Sequence, residues 1–280
     1  PMGVAAEAPI QEAYTTAPFF KGFTEGYNTM DALASLAFAI IVIRTMKDLG
    51  LKEPKDIALG TVKAGIVVVV LMAVIYSCLA YIGASSIGKF ELSANGGIAL
   101  SQVAQYYFGT KGSILLAIIV TLACLKTAIG LITACAETFH GLFPNVMDYK
   151  KYVLAFATFA CVVANIGLTQ LIALSIPMLM FLYPLAIVLI LVAFISPFFH
   201  DDRRIYFIPM VFTMFASVAD ALNAMPDVIK VHPAVQGILG IYQEYLPFFQ
   251  IGMGWIVPAV LGLCVSMIAY FIAKPKQNVA

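Results

Sequence analysis

Charged residues are scarce in this sequence. Only 11% of its 280 residues are Asp, Glu, Lys or Arg, against about a quarter in soluble globular chains. Lys+Arg 16 and Asp+Glu 15 nearly cancel, so no basic face for nucleic acid and no acidic tail is being built. Histidine is rarer still, with three residues, all expected in connections. No HExxH, P-loop or GxSxG occurs, which removes support for metalloprotease, NTPase and hydrolase readings. Nor is there a nucleophile–base pair, so an enzyme is not expected. The five cysteines include no CxxC and all fall inside apolar runs. They are expected to be small buried apolar residues, not a disulfide set. What remains is apolar: 62% of residues, with mean hydropathy +0.96. Few charges clustered between long apolar runs describe an all-α integral membrane protein.

Six apolar runs are read directly, at roughly 60–86, 112–138, 151–167, 170–197, 205–224 and 251–273. Most reach the ~20 residues a helix needs to cross ~30 Å of hydrocarbon. A seventh run behaves differently. Residues 32–43 are apolar but span only ~18 Å at ~1.5 Å per residue. Upstream lies a second short piece, 17–23, interrupted by Lys21, and Glu25-Gly26-Tyr27-Asn28-Thr29-Met30-Asp31 stands between the two. One discontinuous helix over 17–46, with an irregular linker near the midplane, accounts for this. An interfacial segment followed by a short tilted helix is the alternative. The expected organisation is a lead-in over 1–16 and a single transmembrane domain over 17–280, with about seven helices. Residues 93–109 are read either as a surface helix over a vestibule or as a plain interfacial helix.

Basic residues orient the helices. If the segments alternate, Arg44, Lys47, Lys52, Lys55, Lys63, Lys150, Lys151, Arg203, Arg204, Lys274 and Lys276 share one side. Lys21, Lys89, Lys111 and Lys230 lie on the other. The larger set is expected in the cytoplasm, with the N-terminus and the lead-in outside. Reporter fusions at Lys52, Asp148 and Asp202 should therefore read cytoplasm, and fusions at Asn95 and Gly237 periplasm. Reversal at two or more of these sites would overturn the topology. Residues 1–20 carry Glu7 and Glu12 and no basic stretch before an apolar core, so they do not form a signal peptide. An outside N-terminus without one leads to the expectation that further helices precede this chain.

Lys126 carries the strongest chemical signal. It sits at the middle of its helix, where a lysine costs about 2.5–3.5 kcal/mol on insertion scales. Either interface is too far for easy snorkelling, so it must face protein or water. Ala123, Lys126, Thr127, Gly130, Ala134 and Glu137 recur at three- and four-residue steps as one stripe of small and polar groups. That stripe is either a close-packing face with one paired lysine or a cation or proton site. The linker is the second candidate. An unwound stretch offers carbonyls to a cation or ammonium group, and a half-helix N-terminus suits a carboxylate. Gly26 permits unusual backbone angles, and Asn28, Thr29 and Asp31 are plausible caps. Glu25 and Asp31 are equally compatible with simple interfacial placement. Pro177, Pro184 and Pro197 kink the run at 170–197, as hinge or as static bend. Asp220, near the outer end of its run, is read as interfacial.

The stretches GFTEGYNTMDALASLAF (22–38), NGGIALSQVAQYYFG (95–109), LACLKTAIGLITACAETF (122–139) and ANIGLTQLIALSIPMLMFLYPLAIVLI (164–190) resemble the bacterial branched-chain amino acid:cation symporter family. The resemblance covers about residues 8–275. It implies a LeuT-type inverted-repeat fold of about twelve helices, of which this chain would be the C-terminal portion, helices six to twelve. It implies symport of leucine, isoleucine and valine with a cation, sodium or proton, across the bacterial inner membrane, with no other cofactor. The missing N-terminal helices would be its partners, along with lipid. It also implies a substrate site over Glu25, Gly26, Tyr27, Asn28, Thr29 and Asp31, and an ion site at Ala123, Lys126 and Thr127. A Thr-Thr pair is expected in that ion site where Lys126-Thr127 stands, so the Lys126 ammonium would occupy the sodium position. A truncated or partner-dependent scaffold or sensor without transport of its own is the alternative.

Overall fold

A computed structural model describes residues 14–273. The ends of the chain, including Glu7, Glu12, Lys274 and Lys276, lie outside the described residues. Within them the chain is all-helical and contains no strand. Helix α1 runs Pro18–Glu25, α2 Asp31–Asp48, α3 Pro54–Ser86, α4 Gly96–Leu142 and α5 Tyr149–Ala164. Helices α6 Leu168–Ile195, α7 Arg203–Asn223, α8 Asp227–Lys230, α9 Pro233–Tyr245 and α10 Ile256–Ala273 follow. Proline opens α1, α3 and α9, where a missing N–H costs nothing. The Asn95 side chain caps α4 by accepting from the Ile98 N–H, and Asp202 caps α7 by accepting from the Arg204 N–H.

Five stretches are long and apolar enough to cross a membrane by length and composition: 18–48 taken across its break, 54–86, 96–142, 168–199 and 203–223. The apolar part of α10 is shorter, as is α5 with 16 residues. The chain is thus a multi-pass membrane protein. The chain divides into two compact units. One comprises residues 34–169 of the described chain, the other residues 14–33 and 170–273.

The first unit holds most of α2 with α3, α4 and α5. Its α4 is two helices joined at a corner. Gly109 sits at φ 60°, ψ −150°, a conformation essentially reserved for glycine. The leg over 96–108 falls in the segment read at 93–109, and the apolar run read at 112–138 lies in the leg over 110–142. The legs approach so closely that a Cβ on Gly112 would come within 2.5 Å of the Ala104 carbonyl oxygen. Helix α5 packs on α4 through Phe139, whose ring meets Phe156 at 5.2 Å, and through a Tyr152 hydroxyl donating to the Phe143 carbonyl. Most of α3 is exposed along its apolar length, the surface that lipid solvates without penalty.

The second unit has a denser core. Helices α7 and α10 form its main pair. Val188 and Val192 of α6, Ile205 and Ala216 of α7, and Met253, Trp255 and Ala259 make one buried cluster. Helix α9, unforeseen in the sequence, packs Leu239 against Ala219, together with Phe249 of the turn that follows. Helix α10 begins at Ile256 instead of 251, because Phe249–Ile251 turn as a 3-10 helix between Phe248 and Gly252, both at positive φ. Two expectations are corrected. The five cysteines are free, but four are exposed and Cys135 is half-buried; they lie on outward helix faces. His140 belongs to the last turn of α4, not to a connection.

Candidate functional site

The break between α1 and α2 is sharp. Glu25 closes α1, Gly26–Thr29 form a 3-10 turn, and Met30 takes a left-handed conformation at φ 59° before Asp31 opens α2. A left-handed methionine costs of order 1–3 kcal/mol and persists only when its surroundings impose it. The linker is therefore more compact than the unwound stretch expected. The Gly26 carbonyl accepts from the Thr29 hydroxyl (2.8 Å), and the Tyr27 carbonyl from the Met30 N–H (3.1 Å). Glu25 is held by Lys21 at 2.7 Å and accepts from the Asn28 amide at 2.7 Å.

Tyr27 is the buried centre of this element, at 3% exposure. Its ring stacks on Tyr183 of α6, with centroids 4.6 Å apart and planes 10° from parallel. Leu179, Met180 and Ile187 of α6 and Ala32 and Leu33 of α2 surround the pair. The Tyr183 hydroxyl lies at the start of α2, near Thr29, the backbone of Met30 and Ala32, and the Asp31 carboxylate. The Tyr27 hydroxyl has Trp255 and Asp220 as polar neighbours. Among the described residues, six buried polar atoms here close no hydrogen bond of good geometry. Tyr27 Oη, Asn28 Oδ1, Tyr183 Oη, both Asp220 carboxylate oxygens and Trp255 Nε1 all lack one. Buried polar atoms are normally paired, and these six gather around one helix break.

A cavity of about 320 Å³ opens beside it, lined by Lys21, Thr24, Met180, Asp220, Asn223 and Gln250 among others. That is the lower end of the size range of small-molecule sites. Asp220 is 3% exposed. Expected at the interface, near the end of α7, it is buried, and it shares the cavity with Thr24 of α1 and Met180 of α6. Tyr183, Asp220 and Trp255 escaped sequence reasoning as site residues. Asp220 alone left a signal, as a carboxylate inside an apolar run.

The second candidate lies in the first unit. Ala123, Lys126 and Thr127 are all exposed on α4. The Thr127 hydroxyl donates to the Ala123 carbonyl at 3.1 Å. Among the described residues Lys126 has no ion pair or hydrogen bond, so the paired lysine of a packing face is not found. The lower part of the stripe does pack. A Cβ on Gly130 would meet the Phe38 ring at 2.5 Å, Ala134 is 2% exposed, and Glu137 pairs with Arg44. The structure thus brings Glu25 to Asp31 together in one unit and Ala123, Lys126 and Thr127 together in the other.

A family profile described as branched-chain amino acid transport protein matches residues 2–273. The chain belongs to that family. Its relatives include the branched-chain amino acid permease BrnQ of Lactobacillus delbrueckii subsp. lactis, 43% identical over 271 residues. The alignment covers 97% of this chain and 60% of that protein. The permease BraB of Bacillus subtilis is 37% identical over 270 residues, 96% of this chain and 59% of the relative. The branched-chain amino acid transport system 2 carrier protein of Pseudomonas aeruginosa is 36% identical over 285 residues, 99% and 63%. The chain thus spans about 60% of the length of these relatives. No solved structure matches it.

Proposed function

We propose that this chain forms part of a carrier that moves leucine, isoleucine and valine together with a monovalent cation across the bacterial inner membrane. The observation that carries this is the break at Met30 with its cluster of unpartnered polar atoms beside the Tyr27–Tyr183 stack. A branched-chain amino acid needs an apolar wall for its side chain and polar partners for both charged ends. Leu179, Ile187 and the two rings supply the first; the linker residues Glu25, Gly26, Tyr27, Asn28, Thr29 and Asp31 would supply the second. Helices α5 and α10 would complete seven spans, the first discontinuous, in a LeuT-type arrangement. The names of the relatives support the substrate class.

In the same reading, the ammonium of Lys126 stands at Ala123 and Thr127 where a sodium ion would bind. A lysine at mid-helix needs compensating oxygens, and a sodium site would offer them. Labelled leucine uptake by the full-length carrier, under sodium and proton gradients imposed separately, tests both parts. Leucine uptake competed by isoleucine and valine is expected, with little sodium dependence; Lys126→Thr should introduce it. Absence of uptake under either gradient would defeat the transport reading. Steep sodium dependence with Lys126 in place would defeat only the role given to that lysine.

A further inference from the structure

Asp220 is a buried charge that its own unit does not compensate. The other buried polar residues of α7 satisfy themselves: the Thr213 hydroxyl donates to the Pro209 carbonyl at 2.7 Å, and Ser217 to the Thr213 carbonyl at 2.8 Å. Among the described residues, neither Asp220 oxygen has a hydrogen-bond partner. Lys21 lines the same cavity, but its ammonium is engaged by Glu25. Tyr27 is the other ionisable neighbour, and the remaining lining is uncharged. A carboxylate taken out of water without a partner is strongly disfavoured, and only a proton or a bound cation removes the cost.

The lining is suited to that role. Thr24 shares its hydroxyl proton between the Phe20 and Lys21 carbonyls, which leaves the oxygen lone pairs available. Asn223 and Gln250 bring side-chain amides. Pro184 has no N–H, so the carbonyl of Met180, a lining residue, loses its helical donor. One carboxylate among neutral oxygens matches a single positive charge and a hard ion. Among the described residues no group of three His, Cys, Asp or Glu could hold a metal, which argues against a transition metal.

We propose that the Asp220 cavity holds one monovalent cation, a sodium ion or a proton, that neutralises this carboxylate. Its coupling role rests on the transport reading above; the binding stands without it. Trp255 is the chain's single tryptophan and faces Tyr27, itself a neighbour of Asp220, so its fluorescence reports on the cavity. Purified full-length protein in lipid nanodiscs is titrated with sodium chloride against N-methylglucamine chloride at constant ionic strength. It is then titrated with acid in the absence of sodium. A saturable change is expected in at least one arm; the sodium arm identifies the ion, the acid arm the proton, and a sodium-dependent acid midpoint a competition between them. Asp220→Asn should abolish the change or move its midpoint at least tenfold, and Asp220→Glu should keep it with a midpoint moved at least threefold. If Asp220→Asn does not fold, Asp220→Glu decides. No response in either arm, or a variant midpoint equal to wild type, overturns the proposal. Leucine uptake separates it from the transport reading. Uptake absent with the Asp220-dependent response intact removes only transport; cation-driven uptake unchanged in Asp220→Asn removes only this site.

Discussion

Gly262→Leu is expected to abolish recovery of folded protein. Gly262 lies where α10 crosses α7, and a Cβ there would stand 2.8 Å from Pro209 Cα and 2.9 Å from Phe212 Cβ. The first of these is backbone at a fully buried proline, so no side-chain rotation relieves it and the helices must separate. Overpacking a tight core costs about 1–3 kcal/mol and more where backbones move. Here it would also loosen the cluster of Ile205, Ala216, Trp255 and Ala259 that the same two helices enclose. Gly240→Ala is the control, since a Cβ there has nothing within 4 Å and alanine favours the helix. The measurement is the fraction of monodisperse protein and its thermal midpoint in detergent. A Gly262→Leu protein melting like wild type would show that the α7–α10 approach is not the constraint described.

Tyr183→Ala is expected to remove leucine binding. The ring stacks on Tyr27 at 4.6 Å, and its hydroxyl reaches the start of α2. Truncating a buried aromatic to alanine costs about 3–5 kcal/mol, and a stacked pair adds about 0.5–1.5 kcal/mol. The left-handed turn at Met30 is among the features that this packing maintains, so its loss should relax the linker. Thr29→Cys, at an exposed position in the linker, supplies the readout. In an otherwise wild-type background a thiol reagent should label it, and leucine should slow the labelling. In the Tyr183→Ala background leucine should give no protection, while Tyr183→Phe, which keeps the ring, should retain part of it. Equal protection in all three backgrounds would show that leucine binding does not depend on the Tyr183 ring, and no protection even with Tyr183 in place would put leucine elsewhere.

Much of the architecture was legible because the membrane is a demanding solvent. Apolar run lengths marked α3, α6 and α7 to within a few residues at most ends, and a run too short to span pointed to the break before α2. The corner at Gly109 fell at the boundary between the surface segment and the following apolar run. What escaped depends on distance in the chain. Tyr183 sits in an apolar stretch that reads the same whether or not a tyrosine from α1–α2 stacks on it. Asp220 lies a turn from the end of α7, and linear position cannot separate an interfacial carboxylate from one roofed over by neighbouring helices. The Arg44–Glu137 pair was hidden because the sequence places Arg44 only by membrane side and Glu137 only on a stripe of small and polar groups. Helix α9 mixes Gln236, Gly237, Gly240 and Glu244 among its apolar residues, too polar for a span and too irregular to announce a packed helix.

The brevity of α1 also bears on how the protein is synthesised. Eight residues make a helix of about 12 Å, which can neither cross hydrocarbon nor hold its shape alone. During biosynthesis α1 and α2 must therefore enter the bilayer as one apolar stretch of 31 residues. Tyr183, which stacks against the corner, emerges from the ribosome only after α3, α4 and α5 have been made. The kink is then imposed late, as α6 arrives. Until α6 has been made the Tyr27–Tyr183 stack cannot form, so the corner is completed only in assembly.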